Sequence, residues 1–198
     1  MFPRTYVSFY HEDYDEVAAF LEEFDHLDDQ AFYRPLGERL PEDIVKGTNK
    51  LQVIHKMRER FLKDSTVTLL LLGPCTFAQR AVDLELLASL HHGGDEMATP
   101  DERRLLPNGL LAIMLRSYQG QGFPDRLDAN LRVPPESRTE PYAIVRPYPE
   151  DKDALAGWLA EAEQARTERL DLVANTPQMF DEDRPCPDEY GQGAAAAR

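Results

Sequence analysis

The stretch Thr66-Val67-Thr68-Leu69-Leu70-Leu71-Leu72-Gly73-Pro74-Cys75-Thr76 decides the fold of this chain. Its first seven residues form a β-branched and apolar run, which is typical of a strand that is buried on both faces. A helical pattern follows over residues 79–90. A buried strand that leads directly into a helix is the unit from which parallel α/β sheets are built.

One acidic residue in that helix has unusual neighbours. At about 100° per residue, Gln79, Arg80 and Asp83 fall on one side of the helical wheel, whereas Glu85 falls on the other. The residues that share the side of Glu85 are small or apolar: Phe77, Ala78, Ala81, Val82, Ala88 and Ser89. An inward-pointing carboxylate loses hydration, and its small neighbours leave room beside it. The pattern therefore predicts that Glu85 forms the floor of a pocket.

The rest of the chain alternates strand and helix patterns. Strands are predicted over residues 5–10, 31–34, 66–72, 109–116 and 141–146, and helices over residues 14–24, 51–62, 79–90 and 151–170. Asp13, with Glu16 three residues later, predicts the N-cap of the first helix. Residues 35–49 and 117–140 are expected to be irregular because Gly and Pro recur in them.

This alternation predicts an α/β fold, namely a flavodoxin-like doubly wound parallel sheet of about five strands in the order 2-1-3-4-5, flanked by helices. We expect the α/β domain to span residues 1–172. Residues 173–198 are rich in acidic residues, Pro and Gly, and we expect a C-terminal tail that is disordered or lies over the surface.

In this topology, ligands bind at the carboxyl ends of strands one and three, where the winding direction switches. The residues predicted to line that crevice are Ser8, Phe9, Tyr10, His11, Gly73 and Thr76. There we expect Ser8 to contact ribose or phosphate and Tyr10 to stack on a ring. Alternatively, Phe9 and Tyr10 belong to the core and His11 is solvated. Thr76 either caps the helix or contacts a phosphate.

Composition excludes several classes of protein. The 198 residues carry a formal net charge of −14, which argues against nucleic acid as a partner. The two cysteines, Cys75 and Cys186, suggest neither a disulfide framework nor a zinc site, and no metal is expected. The sequence shows no secretory signal and no apolar run long enough to span a membrane, so we expect a cytoplasmic protein without a membrane partner.

Two blocks of the sequence resemble the bacterial TIR-like family, which includes the sensors of the Thoeris anti-phage defence system. The first is Tyr6-Val7-Ser8-Phe9-Tyr10, and the second runs from Ser65-Thr66-Val67 through Leu72-Gly73 and Thr76 to Val82-Asp83-Leu84-Glu85-Leu86. The sequence departs from the family at Ala81, where relatives have Trp. Relatives begin this helix just before that position, whereas a capping box at Thr76 and Gln79 predicts an earlier start.

The resemblance implies cleavage of NAD+ at the nicotinamide–ribose bond, which makes an ADP-ribose-derived nucleotide signal, either linear or cyclic. Glu85 matches the family's essential glutamate, and Ala81 would line the substrate pocket. NAD+ is then the substrate, and no further cofactor is expected. The implied partners are a downstream effector that is reached through the product nucleotide and further copies of the chain upon activation. The alternative is a non-catalytic TIR-like interaction or scaffold module.

Overall fold

The computed structural model describes residues 3–24, 32–33, 40–92, 106–133 and 139–187. Its sheet is parallel, with the strand order β2-β1-β3-β4-β5, which confirms the predicted topology. The strands are β1 (Thr5–Phe9), β2 (Phe32–Tyr33), β3 (Val67–Leu72), β4 (Gly109–Met114) and β5 (Ile144–Arg146). The α-helices are α1 (Tyr14–Phe24), α2 (Glu42–Val45), α3 (Lys50–Met57), α4 (Arg80–Ser89), α5 (Asp125–Asn130) and α6 (Lys152–Glu168).

Helices cover both faces of the sheet. One face packs against α1 and α6 through strand residues such as Val7, Phe9 and Leu71. The other face packs against α3, α4 and α5 through residues such as Tyr6 and Leu70. Because successive side chains of a strand point to opposite faces, Tyr6 and Ser8 share the face that α4 covers.

Two short helices lie in regions that were expected to be irregular. In α2, Ile44 is fully buried in the cluster that surrounds α3, and in α5, Leu127 is fully buried beside α4. Each helix follows a proline, Pro41 or Pro124, which occupies the N-cap position. Helices of four and six residues are too short to show a helical period, so the sequence pattern missed them.

The sheet approaches α6 very closely at the start of β4. A Cβ atom placed on Gly109 would lie 1.8 Å from the backbone oxygen of Ala162. This contact requires glycine, since no side chain fits between the strand and the helix backbone.

The described part of the C-terminal segment, residues 173–187, lies across α4, and we call it the strap. Its Asn175 and Phe180 are buried. A disulfide joins Cys186 of the strap to Cys75, with a Cα–Cα distance of 5.7 Å. The expectation of two separate thiols was therefore wrong, because the strap returns Cys186 to the loop after β3 across 111 residues of sequence. Residues 188–198 of the expected tail lie outside the described residues.

Among the helices that the structure describes, none is long and apolar enough to cross a membrane.

Candidate functional site

Glu85 lies on α4 with no solvent-accessible surface. Its Oε1 accepts a hydrogen bond of 3.0 Å from the Tyr6 hydroxyl, and the Ser8 hydroxyl donates to its Oε2. Both donors come from β1, so the carboxylate points inward at the sheet and is oriented by two strand hydroxyls. Sequence reasoning missed Tyr6, although its spacing of two residues from Ser8 places both on one face of the strand.

A second carboxylate lies at the switch point of the sheet. The Asp13 side chain packs against the loop after β3 so tightly that a Cβ on Gly73 would lie 2.1 Å from Asp13 Oδ2. The Thr76 hydroxyl accepts a 2.8 Å hydrogen bond from the Gly73 amide and also bonds to Asp13. Burial, reinforced by the charges of Glu16 and Glu12, raises the pKa of Asp13 to about 7. Asp13 thus fills part of the predicted crevice.

The structure separates the other crevice residues that were predicted at the end of β1. Phe9 points to the opposite face of the sheet and packs in the core beside α1, away from Glu85. Tyr10 is half-buried, and burial together with Glu12 raises the pKa of its hydroxyl. His11 is exposed and contacts the Tyr10 ring edge-on, with 4.8 Å between ring centroids. Ser8, unlike Tyr10 and His11, lies within β1 and donates a hydrogen bond to Glu85.

The part of the chain that carries Tyr6, Ser8 and Glu85 matches a known family model. Residues 6–100 match the family model described as Thoeris protein ThsB, TIR-like domain. Over these residues, just under half of the chain, the sequence is similar to the ThsB TIR-like family. The match begins at Tyr6 and includes all of α4, and therefore includes Glu85 and both of its hydroxyl partners. A search of curated proteins found no match. This similarity indicates a role in anti-phage defence, in the context of other defence components.

The helix of this ThsB-type domain starts at Arg80, which agrees with the later of the two expected starts. The capping box does not form: the Thr76 hydroxyl is taken by the Gly73 amide, and the Gln79 side chain donates to the Cys75 carbonyl at 3.3 Å. Ala81, which stands where relatives have Trp, is half-buried and packs against the cluster around α3.

The side of α4 opposite Glu85 is also buried, because the strap and the loop after α2 cover it. The Arg80 guanidinium donates to the backbone oxygens of Val45 at 2.6 Å, of Gly47 at 2.8 Å, and of Phe180 in the strap. A charged residue on the polar side of a helical wheel is normally solvated. The sequence pattern therefore gave no sign that this side would be covered.

A buried ion pair holds α4, α5 and the strap together. The Arg126 Nε donates to Asp83 Oδ1 at 2.8 Å, and the Phe180 amide donates to Asp83 Oδ2 at 2.9 Å. The Arg126 guanidinium also donates to the Asn175 side chain at 2.9 Å. Burial raises the pKa of Asp83 and lowers the pKa of Arg126, although their mutual attraction opposes both shifts.

The expected pocket above Glu85 is closed in this structure, because Tyr6 and Ser8 contact both carboxylate oxygens and the side chain has no accessible surface. A surface cleft of about 360 Å³ exists elsewhere, between α5 and the strap. It is lined by Asp125, Asp128, Ala129, Arg132, Thr176 and Pro177, and not by Glu85. Among the described residues, no group of three or more His, Cys, Asp or Glu side chains is placed to hold a metal ion.

Proposed function

We propose that this ThsB-type chain cleaves NAD+ at the nicotinamide–ribose bond, with Glu85 as the catalytic carboxylate, and releases an ADP-ribose-derived nucleotide signal. The proposal rests on one observation: a fully buried carboxylate on the family's helix is held by two hydroxyls of β1. In doubly wound sheets, nucleotides bind at the switch point, at the carboxyl end of the first strand, and Ser8 lies next to the last residue of β1.

The chemistry suits a single carboxylate. Nicotinamide leaves from a pyridinium that already carries positive charge, so its departure needs no general acid. The transition state resembles an oxocarbenium ion, as it does in glycosidases. A fixed anion in a site that excludes water stabilises the positive charge on the sugar more strongly than the same anion does in solvent.

Tyr6 and Ser8 fix the direction of the Glu85 carboxylate, so that it is oriented before substrate binds. Bound ribose hydroxyls would replace the Ser8 and Tyr6 hydroxyls as donors to the carboxylate. Once a nucleotide occupies this site in the core, the surrounding apolar residues would keep water from the reacting sugar. Exclusion of water favours ring closure over hydrolysis of the ADP-ribose.

The second candidate is a non-catalytic interaction module. It is favoured by the complete burial of Glu85, which leaves both carboxylate oxygens satisfied by the protein itself. A docking surface usually exposes a contiguous apolar patch. Among the described residues, Tyr14 is the exposed large hydrophobic residue, with 39% of its surface accessible, which gives this candidate little to dock with.

The test is nicotinamide release from NAD+, resolved by chromatography, with reduced protein at concentrations high enough for self-association. Glu85→Gln keeps the size of the side chain and removes its charge, and it should lower the rate by roughly 100-fold or more. Glu168→Gln makes the same change on the exposed side of α6 and should leave the rate unchanged. An unchanged rate in Glu85→Gln would remove Glu85 from the mechanism. If neither the wild type nor Glu168→Gln releases nicotinamide, the result favours the interaction module.

A further inference from the structure

The strap pins the loop that connects β3 to α4. The disulfide between Cys75 and Cys186 fixes one end of this loop, residues 73–79, to the strap. The Arg184 amide donates a 2.8 Å hydrogen bond to the Ala78 carbonyl at the other end. One covalent bond and one backbone hydrogen bond therefore hold the loop against the strap at two points.

A strap carboxylate occupies the N-terminus of α4. Asp183 Oδ1 accepts a 2.8 Å hydrogen bond from the Arg80 amide, which is the first amide of the helix. The same Asp183 charge contributes to the raised pKa of Tyr10, which places it near the end of β1. The strap thus reaches from the end of β1 to the start of α4. A helix N-terminus attracts anions, and here the protein's own carboxylate already fills that position.

The path from this loop to Glu85 runs along the sheet-facing side of α4. Side chains of a helix incline toward its N-terminus, so Glu85 points toward the loop rather than away from it. Ala81 lies one turn ahead of Glu85 in α4, and Ala78 lies in the loop just before the helix; both side chains are small. Displacement of the loop would therefore open a way to the carboxylate, which has no accessible surface while the loop is held.

We propose that the strap is a redox latch on the Glu85 site: the Cys75–Cys186 disulfide holds the loop closed, and its reduction lets the loop open to a nucleotide. The latch rests on the proposed function, whose site it regulates. Asn175 and Phe180 remain anchored to Arg126 and Asp83, so opening is confined to the last part of the strap.

The electron balance requires a dithiol reductant, such as dithiothreitol or a thioredoxin-class protein. One thiolate of the dithiol attacks a sulfur of the disulfide and forms a mixed disulfide, while the other cysteine leaves as a thiolate. The second thiol of the reductant then resolves the mixed disulfide. Two electrons and two protons pass to Cys75 and Cys186, and the dithiol is oxidised to its cyclic or internal disulfide.

The first experiment measures amide hydrogen exchange in the full chain, oxidised and reduced. Reduction removes the covalent link and leaves non-covalent contacts, among them the 2.8 Å pair between Arg184 and Asp125 of α5. Exchange at the Arg80 and Arg184 amides should then become faster by roughly tenfold or more. The double variant Cys75→Ser with Cys186→Ser should exchange like the reduced protein whether or not reductant is present. Equal exchange in the oxidised and reduced wild type would overturn the latch.

A pair of charge variants tests the strap without changing the cysteines. Asp183→Asn weakens the interaction with the start of α4, and it should speed exchange at the Arg80 amide in the oxidised protein. Asp181→Asn removes a neighbouring exposed carboxylate and should not change that rate. Identical exchange in the two variants would show that Asp183 does not help to hold the loop.

The second experiment compares nicotinamide release by the oxidised and reduced forms. Reduction should raise the rate by roughly tenfold or more, and the double serine variant should be fast in both buffers. If the two forms release nicotinamide at equal rates although their amide hydrogen exchange differs, the strap does not control access to the Glu85 site. If no form releases nicotinamide, the proposed function fails, and the exchange data alone decide whether the disulfide holds the loop.

Discussion

Asp13 makes the stability of this protein depend on pH in an unusual direction. Its pKa is raised from 3.8 to about 7, first by burial and then by the charges of Glu16 and Glu12, while the bond to Thr76 opposes the shift. The folded protein therefore binds a proton that the unfolded chain has already lost. The stabilisation is fully present below about pH 4 and disappears as the pH rises through about 7.

The size of this effect follows from the shift. About three pKa units correspond to about 4 kcal/mol at the usual 1.36 kcal/mol per unit. The Asp13 side chain is partly exposed, and solvent screening reduces this figure to about 1–2 kcal/mol. Asn cannot ionise, so Asp13→Asn removes the cost of burying the charge at high pH. The variant should exceed wild type in stability by about 1–2 kcal/mol at pH 8.5 and match it within about 0.5 kcal/mol at pH 4.

Urea unfolding with the disulfide intact measures both values, provided that the slope against urea stays the same. The exposed Asp171→Asn serves as the control, and its difference from wild type should be the same at pH 4 and pH 8.5. If Asp13→Asn is no more stable than wild type at pH 8.5, then packing the ionised Asp13 carboxylate against Gly73 does not destabilise the folded protein. The assignment of Asp13 to the crevice would then be wrong.

Two further predictions concern packing and the buried ion pair. Gly109→Ala should destabilise the protein by several kcal/mol in thermal unfolding, because its Cβ would lie 1.8 Å from the α6 backbone. Gly157 lies on α6 with open space around it, so Gly157→Ala should stabilise the protein by about 0.5–1 kcal/mol. Equal effects of the two would contradict the close contact. Asp83→Asn leaves the fully buried Arg126 without its charged partner and should lower the free energy of unfolding by about 3–5 kcal/mol. Asp128→Asn removes the exposed ion pair with Arg132 and should lower it by less than about 1 kcal/mol. A small loss for Asp83→Asn would show that Arg126 is satisfied by its other partners.

The sheet could be predicted from the sequence because its signals are local. The apolar run of β3 and the alternation of strands and helices suffice to predict the parallel order. The helical period predicts which side of α4 carries Glu85. It does not predict that the pocket above Glu85 is closed. Closure depends on the hydroxyl of Tyr6, which lies 79 residues away in sequence. No local pattern encodes a contact over that distance.

The strap and the second carboxylate were missed for a related reason. Asp83 and Arg126 are 43 residues apart, and Cys75 and Cys186 are 111 apart, so neither pair shows a spacing that a motif would reveal. Asp13 fits the pattern of a helix cap, yet it turns toward Gly73 because that glycine leaves space for a carboxylate. These contacts are set by the tertiary fold, and they follow from the sheet order once the helices are in place.

The structure of reduced Glu85→Gln in complex with NAD+ tests the central claim most directly, because we expect this variant to bind the substrate without consuming it. Our account predicts that a hydroxyl of the nicotinamide ribose lies about 3 Å from the side chain at position 85, with the loop after β3 displaced. A nucleotide bound elsewhere, with Tyr6 and Ser8 still bonded to position 85 beneath a closed loop, would contradict it.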